Sequence, residues 1–242
     1  MKATSPGEDA VMFADRKDAG RKLAEKLLWV KDMGKDNVAN NVIVLAIPRG
    51  GVVIGDIIAS CLRAKLDIVV SRKIGAPFNP ELAIGAVMPD GACFLNVGTA
   101  EALQVPEQYI ATQAEEQMKE INRRLMLYRG RKKYDNELEG KIVILVDDGI
   151  ATGSTIFAAS QWIKAQKCRQ IIIAIPVGPK HTVDKLKEVA DIVVVIDAPT
   201  SFQAVGEFYQ DFSQITDEEV LDIMRRHGYN NTIDHYDESL VE

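Results

Sequence analysis

Five stretches of this chain are almost unbroken Val, Ile and Leu: 42–47 (VIVLAI), 67–73 (DIVVSRK), 141–147 (KIVILVD), 170–176 (QIIIAIP) and 191–197 (DIVVVID). A strand with one wetted face alternates apolar with polar residues. A continuous run is buried on both faces, the condition of strands in a parallel sheet covered by helices. Helical patterns fall between these runs, at 51–64, 106–129, 154–166 and 181–189, with another at 16–31 ahead of the first strand. Parallel neighbours must be joined by crossovers, which are right-handed. The alternation predicts an α/β fold with a parallel sheet flanked by helices.

Two segments break the rhythm. Residues 83–96 (AIGAVMPDGACFLN) read as a hairpin turning at Pro89-Asp90-Gly91. Residues 198–215 (APTSFQAVGEFYQDFSQI) are long and aromatic for a connection, and long ordered loops tend to carry function. Helix 106–129 has Pro106 for N1, Gly130 for C′, and Ile110, Ala114, Ile121, Leu125 and Tyr128 on one face. Thr216 and Glu219 are spaced as a capping box at the start of a last helix.

Composition adds mainly exclusions. At 47% apolar and 26% charged, the 242 residues suit one folded domain over 1–242, with no low-complexity linker. No apolar run reaches the ~18 residues of a membrane span, and MKATSPGEDAVMFADRKDAGRK lacks the apolar core of a secretory signal. Cys61, Cys93 and Cys168 are isolated, and His181, His227 and His235 have no metal-site spacing. A reduced cytoplasm is the expected compartment. The formal net charge is −6, with Asp234, Asp237, Glu238 and Glu242 in a tail, 231–242, that has no Lys or Arg. That balance disfavours a nucleic-acid partner. It leaves open a small anion held by local N–H groups.

The most informative stretch is 143–155, VILVDDGIATGST. A buried strand ends in Asp147 and Asp148, and a Gly-bearing loop then opens a helix. The first N–H groups of a helix are unpaired and face outward, so this turn is an anion site reinforced by the helix dipole. Thr152, Ser154 and Thr155 add hydroxyls, and Gly149 and Gly153 let the backbone approach. The acids stand at the carboxyl edge of the sheet, where ligands of open α/β folds bind. A carboxylate does not hold phosphate directly, so sugar hydroxyls or Mg²⁺ reached through water are its expected partners. No Lys follows Gly153, which excludes a Walker loop. Arg49-Gly50-Gly51-Val52 misses the dinucleotide G-x-G-x-x-G spacing.

VILVDDGIATGST closely resembles the phosphoribosyl pyrophosphate (PRPP) motif of type I phosphoribosyltransferases. Three further stretches extend the likeness: IPRGG after the first strand, RKIGAPFNPELAIGAV, and VGEFYQDFSQITDEEV. Together they are similar to stand-alone bacterial and archaeal phosphoribosyltransferase-domain proteins, whose natural acceptor is poorly defined. The resemblance implies a type I phosphoribosyltransferase fold, with hood elements from about 198–242 and the N-terminal helix. It implies Mg²⁺ and displacement of pyrophosphate from PRPP by a nitrogenous base, purine-like or another small acceptor. Asp147 and Asp148 would take the ribose hydroxyls, with Mg²⁺ nearby through water. The N–H groups of 150–154 (Ile150, Ala151, Thr152, Gly153, Ser154) and the hydroxyls of Thr152, Ser154 and Thr155 would hold the 5-phosphate. Pro48-Arg49-Gly50-Gly51 would form the pyrophosphate loop, where the family often has a non-proline cis peptide. Arg72 and Lys73, ending the second strand, would lie near the leaving group. A homodimer follows by analogy only.

The chemistry needs a cover that excludes water, and 74–82 (IGAPFNPEL) is the candidate loop. The 6-oxopurine enzymes carry an Asp three residues beyond the second acid, where this chain has Ala151. The loop instead resembles that of the adenine enzymes, which use a mobile-loop Glu; Glu81 is the corresponding proton-handling candidate. The acceptor is expected under Pro199–Ser213, with Phe202, Phe208 or Tyr209 stacking and Asp211 reading an amino group. The alternative is a PRPP- or nucleotide-binding regulatory protein of the same fold without turnover. It would bind PRPP and release no pyrophosphate with any acceptor.

Overall fold

The computed structural model describes residues 12–33, 38–134 and 137–229, except the side chain of Glu81; the acidic tail 231–242 lies outside the described residues. Helix α1 (Arg16–Lys26) and the single turns α2 (Val30–Met33) and α3 (Val38–Asn41) precede β1 (Val42–Ala46), α4 (Gly50–Leu62) and β2 (Lys65–Ile68). Then come β3 (Arg72–Ala76), β4 (Asn79–Val87), β5 (Cys93–Leu95), α5 (Val97–Ala102) and the long α6 (Glu107–Arg129). β6 (Ile142–Val146), α7 (Ser154–Ala165), β7 (Gln170–Val177), α8 (Lys180–Leu186), β8 (Ile192–Asp197), a 3₁₀ turn at Val205–Phe208 and α9 (Asp217–Arg226) follow.

Five strands form a parallel sheet in the order β2-β1-β6-β7-β8. Every residue of the central strand β6 and of its neighbour β1 is buried, as their uninterrupted apolar sequence requires. The edge strand β8 is half-buried throughout. Helix α6 turns Ile121, Leu125 and Tyr128 inward and is closed by Gly130; Pro106 is its cap, one position before the expected N1. The capping box of α9 is present: Thr216 Oγ1 accepts from the Glu219 N–H at 3.1 Å, and Glu219 Oε2 accepts from the Thr216 N–H at 2.8 Å. The expected helix at 16–31 is interrupted, because the Leu27 N–H bonds back to Ala24 and α1 ends there.

The second apolar run is divided between two sheets, which corrects the strand expected at 67–73. β2 ends at Ile68, and the Val69 N–H makes the last bond to β1, to Ala46 at 2.9 Å. From Arg72 the chain enters a separate antiparallel sheet, β3-β4-β5. Local composition does not mark this exit, since Val69 and Val70 continue the apolar run and are buried. The β4–β5 hairpin turns at 88–92 as expected, and the Asp90 carboxylate on its turn accepts from Trp162 Nε1 of α7 at 2.9 Å. The candidate cover, 74–82, is a hairpin of β3 and β4 rather than a loop, with Phe78 fully exposed at its tip.

One polar feature is built into the core. Asp67 of β2 and Arg129 at the end of α6 form a two-point ion pair, Nε–Oδ1 2.7 Å and Nη2–Oδ2 2.8 Å, with both side chains 0% exposed. The guanidinium lies 3.8 Å from the Tyr134 ring centroid, and the Tyr134 hydroxyl donates to the Ile68 carbonyl at 2.8 Å. The pair joins the edge strand to the last turn of α6, where a cation also complements the helix dipole.

Candidate functional site

The parallel sheet delivers the two conspicuous loops to one edge. β1 and β6 are neighbours in register, Ala46 opposite Val146, so 47–51 and 147–153 leave the sheet side by side. The Pro48–Arg49 peptide bond is cis. The closeness of the loops shows in the two glycines that begin α4. A Cβ on Gly50 would stand 1.8 Å from Asp148 Oδ2 and 2.8 Å from Arg16 Nε; one on Gly51 would stand 2.9 Å from the Val146 carbonyl oxygen. No side chain fits there, and the backbone of 50–51 lies directly on the acid pair.

Each acid has one oxygen committed to the protein. Asp147 Oδ1 accepts from the Asp148 N–H at 2.9 Å, and Asp148 Oδ2 accepts from Arg16 Nε at 2.7 Å. The other oxygen of each carboxylate takes no part in these two bonds. Burial, and behind it the charge of Asp148, pushes the Asp147 carboxyl well above the usual carboxylate range. Burial also raises Asp148, while Arg16 pulls in the opposite direction. Two adjacent half-buried carboxylates favour whatever brings hydroxyl donors or positive charge to them.

The anion loop follows. The Ile150 N–H is tied to the Val177 carbonyl at 3.0 Å, and Gly153, at φ 75°, makes the left-handed turn into α7. Thr152 and Ser154 share a hydroxyl hydrogen bond of 3.1 Å beside that helix start. Thr182 of α8, buried, donates to the Ala151 carbonyl at 3.0 Å and pins the loop from behind. Thr182→Val is expected to cost about 1 kcal/mol, seen as a fall of roughly 3 °C in thermal denaturation. A cavity of about 390 Å³ adjoins the loop, with Thr152, Ser154, Phe157, His181 and Lys185 on its walls.

The other expected site residues are distributed differently. The Arg49 side chain turns from the acids to Asp217 of α9, 3.3 Å away, where the Tyr128 hydroxyl also donates at 2.5 Å. Arg72 and Lys73 open β3, and Arg72 Nε donates to Gln117 Oε1 of α6 at 3.0 Å; they do not end a strand of the main sheet. Glu81 is on β4, its side chain outside the described residues. Two of the stacking candidates are corrected: Phe208 is 1% exposed with its face against Phe202, ring centroids 5.4 Å apart, and Tyr209 is also buried. The Tyr209 hydroxyl donates to the Asp148 carbonyl at 2.6 Å, so these rings pack the hood onto the acid loop. Phe202 is half-buried. Asp211 accepts from the Ser213 N–H at 2.9 Å and stands on the wall of a larger cavity, about 670 Å³, between α1, α4 and α9.

The residue that the motifs missed is Arg16. Its only sequence signal is its place at the start of a helical pattern, 132 positions from its partner Asp148.

A family model described as a phosphoribosyl transferase domain matches residues 16–212 of the chain. The chain belongs to this family. The match begins at Arg16 and ends at Phe212, so it takes in both loops, the acids and the hood segment as far as Phe212. This phosphoribosyl transferase domain is 39% identical over 216 residues to Rv0571c of Mycobacterium tuberculosis H37Rv, and equally to MT0597 of strain CDC 1551. The names of both place them among the phosphoribosyl transferases. The alignments cover 89% of this chain and 47% of each relative, so the chain spans about half the length of the curated relatives it matches. The crystal structure of TT1426 from Thermus thermophilus is 38% identical, with a TM-score of 0.73, over 89% of this chain and 99% of that one. No helix among the described residues is long and apolar enough to cross a membrane.

Proposed function

We propose that this domain is a Mg²⁺-dependent phosphoribosyltransferase of the cytoplasm that displaces pyrophosphate from PRPP with a nitrogenous acceptor. The observation that carries the reading is the contact of the Gly50-Gly51 backbone with Asp147 and Asp148, next to the anion loop. A pyrophosphate loop, a diol-binding pair and a 5-phosphate loop then follow one another along a single sheet edge, in the order of the groups on PRPP.

In this reading the carboxylate oxygens of Asp147 and Asp148 outside those two bonds accept the two ribose hydroxyls. The N–H groups of 150–154 and the hydroxyls of Thr152, Ser154 and Thr155 receive the 5-phosphate, and the backbone of 49–51 receives pyrophosphate. The C1–O bond breaks with its electron pair leaving on pyrophosphate, and the acceptor nitrogen forms the C1–N bond. The nitrogen's proton passes to a base, for which Glu81 on the β3–β4 hairpin is the candidate. Arg72 and Lys73, on the same hairpin, bring positive charge toward the departing group as it closes.

No cluster of three or more metal-ligating side chains occurs among the described residues. Two partly buried carboxylates with an oxygen each to offer suit a hard cation that keeps most of its water and takes further oxygens from its substrate. Asp147 and Asp148 would hold Mg²⁺ through water, and the bound ion would supply neutralisation of the pyrophosphate charge.

Calorimetric titration of PRPP with Mg²⁺ tests the site. Wild type is expected to bind, and Asp147→Asn/Asp148→Asn to lose at least about 100-fold in affinity, the worth of two charge-assisted hydrogen bonds. Folded wild type that does not bind overturns the reading. A panel of heterocyclic bases scored by pyrophosphate release then separates an enzyme from a binding protein, which would release none.

A further inference from the structure

Arg16 is nearly buried, 8% exposed, and three parts of its guanidinium have separate duties. Nε donates to Asp148 Oδ2 at 2.7 Å, Nη1 donates to the Ser213 carbonyl at 2.8 Å, and Cζ lies 3.9 Å from the centroid of the Phe212 ring. An ammonium could not serve all three at once, because it lacks both the fork and the flat face.

The chain around Arg16 is arranged to deliver it. The Phe13 N–H donates to the Phe208 carbonyl at 2.8 Å, the Gln210 N–H to the Phe13 carbonyl at 2.8 Å, and the Asp211 N–H to the Ala14 carbonyl at 3.0 Å. The segment before α1 thus runs along 208–211 as a short ribbon, and α1 starts where that ribbon meets the acid pair. The Tyr209 hydroxyl bond to the Asp148 carbonyl supplies a second link between the same partners. Asp148 is therefore held at its side chain by Arg16 and at its backbone by the hood, and Arg16 itself grips the hood at 212–213. A ligand that loads Asp148 also loads the hood.

We propose that Arg16 is a positioning residue of the donor site: it fixes Asp148 so that one carboxylate oxygen faces the sugar, and it couples occupation of the acid pair to ordering of the hood at 205–213. The inference rests on the PRPP reading. Without the guanidinium, the Asp148 carboxylate loses the donor that fixes Oδ2 and turns away from its place beside Asp147. That rotation removes an acceptor from the diol.

The test pairs PRPP–Mg²⁺ titration with amide hydrogen exchange of wild type, Arg16→Met, Arg16→Lys and Phe212→Leu. In wild type, PRPP should slow exchange across 205–213. Arg16→Met should weaken binding about 10- to 100-fold, the loss of a charge-assisted bond, and abolish that slowing. Arg16→Lys should recover part of the affinity without the hood response, because an ammonium has neither the planar fork nor the flat face that lies on Phe212. Phe212→Leu should keep most of the affinity and lose part of the hood response. A merely structural Arg16 would lower thermal stability and leave the affinity and the exchange response of the folded fraction unchanged, which would overturn the proposal. If Arg16→Met does not fold, Arg16→Lys and Phe212→Leu decide: wild-type behaviour in both overturns it. Wild type that binds no PRPP overturns the donor reading itself and this inference with it. Binding that is equal in all four proteins overturns this inference alone.

Discussion

Gly50→Ala is expected to weaken PRPP binding about 100-fold and to destabilise the fold, the reverse of what alanine usually does in a helix. In a helix interior alanine is favoured over glycine by about 1 kcal/mol. Here the new methyl would stand 1.8 Å from Asp148 Oδ2, 2.5 Å from Asp148 Cγ and 2.8 Å from Arg16 Nε. Those atoms can move aside only by giving up their contacts, since the carboxylate is held by Arg16 and the guanidinium is clasped between Asp148, Ser213 and Phe212. Overpacking of this kind costs about 1–3 kcal/mol, and displacement of a binding group by an ångström is worth roughly 100-fold. Thermal denaturation and the PRPP titration measure the two effects. A variant that is more stable than wild type and binds normally would mean that the 48–51 loop does not press on the acids.

Asp67→Ala should show the largest effect on stability and none specific to the site. It leaves the Arg129 guanidinium, 0% exposed, with only the more distant Glu137 carboxylate, 3.6 Å from Nη2, and breaking a buried pair from one side costs about 3–5 kcal/mol. For a chain of this size that is a fall of roughly 10 °C in the midpoint of thermal denaturation. The double variant Asp67→Leu/Arg129→Met should recover most of the loss, because it removes both charges and keeps the volume. Urea denaturation of the two variants checks the sign. If Asp67→Ala were nearly neutral, Glu137, 3.6 Å from Arg129 Nη2, would have taken over as the partner of the guanidinium.

These two cases mark what could and could not be read along the chain. The runs of Val and Ile betray the parallel sheet because burial on both faces leaves no polar register, and β1, β6 and β7 lie where such runs stand. Asp147, Asp148 and the loop to Thr155 are legible because their chemistry is contiguous. Asp67 is hidden for the opposite reason: it is a lone acid inside an apolar run, and its partner arrives from the end of α6. Arg16 is hidden in the same way, its partners Asp148 and Ser213 lying 132 and 197 residues away. The stacking role expected of Phe208 and Tyr209 fails because composition shows an aromatic cluster and not which of its faces are already covered. The strand exit at Ile68 and the hairpin form of 74–82 are tertiary choices. Each depends on which sheet has a free edge to offer.

The ribbon between 13–14 and 208–211 also sets an order of assembly. A chain emerging from a ribosome completes the sheet centre, both acids and the anion loop once β7 and β8 are made, yet Arg16 has no carbonyl to grip until Ser213 is available. Closing so long a loop is entropically slow to reward. Until then Asp148 lacks its Arg16 contact, and the acid pair is set only once these two distant parts of the chain have met.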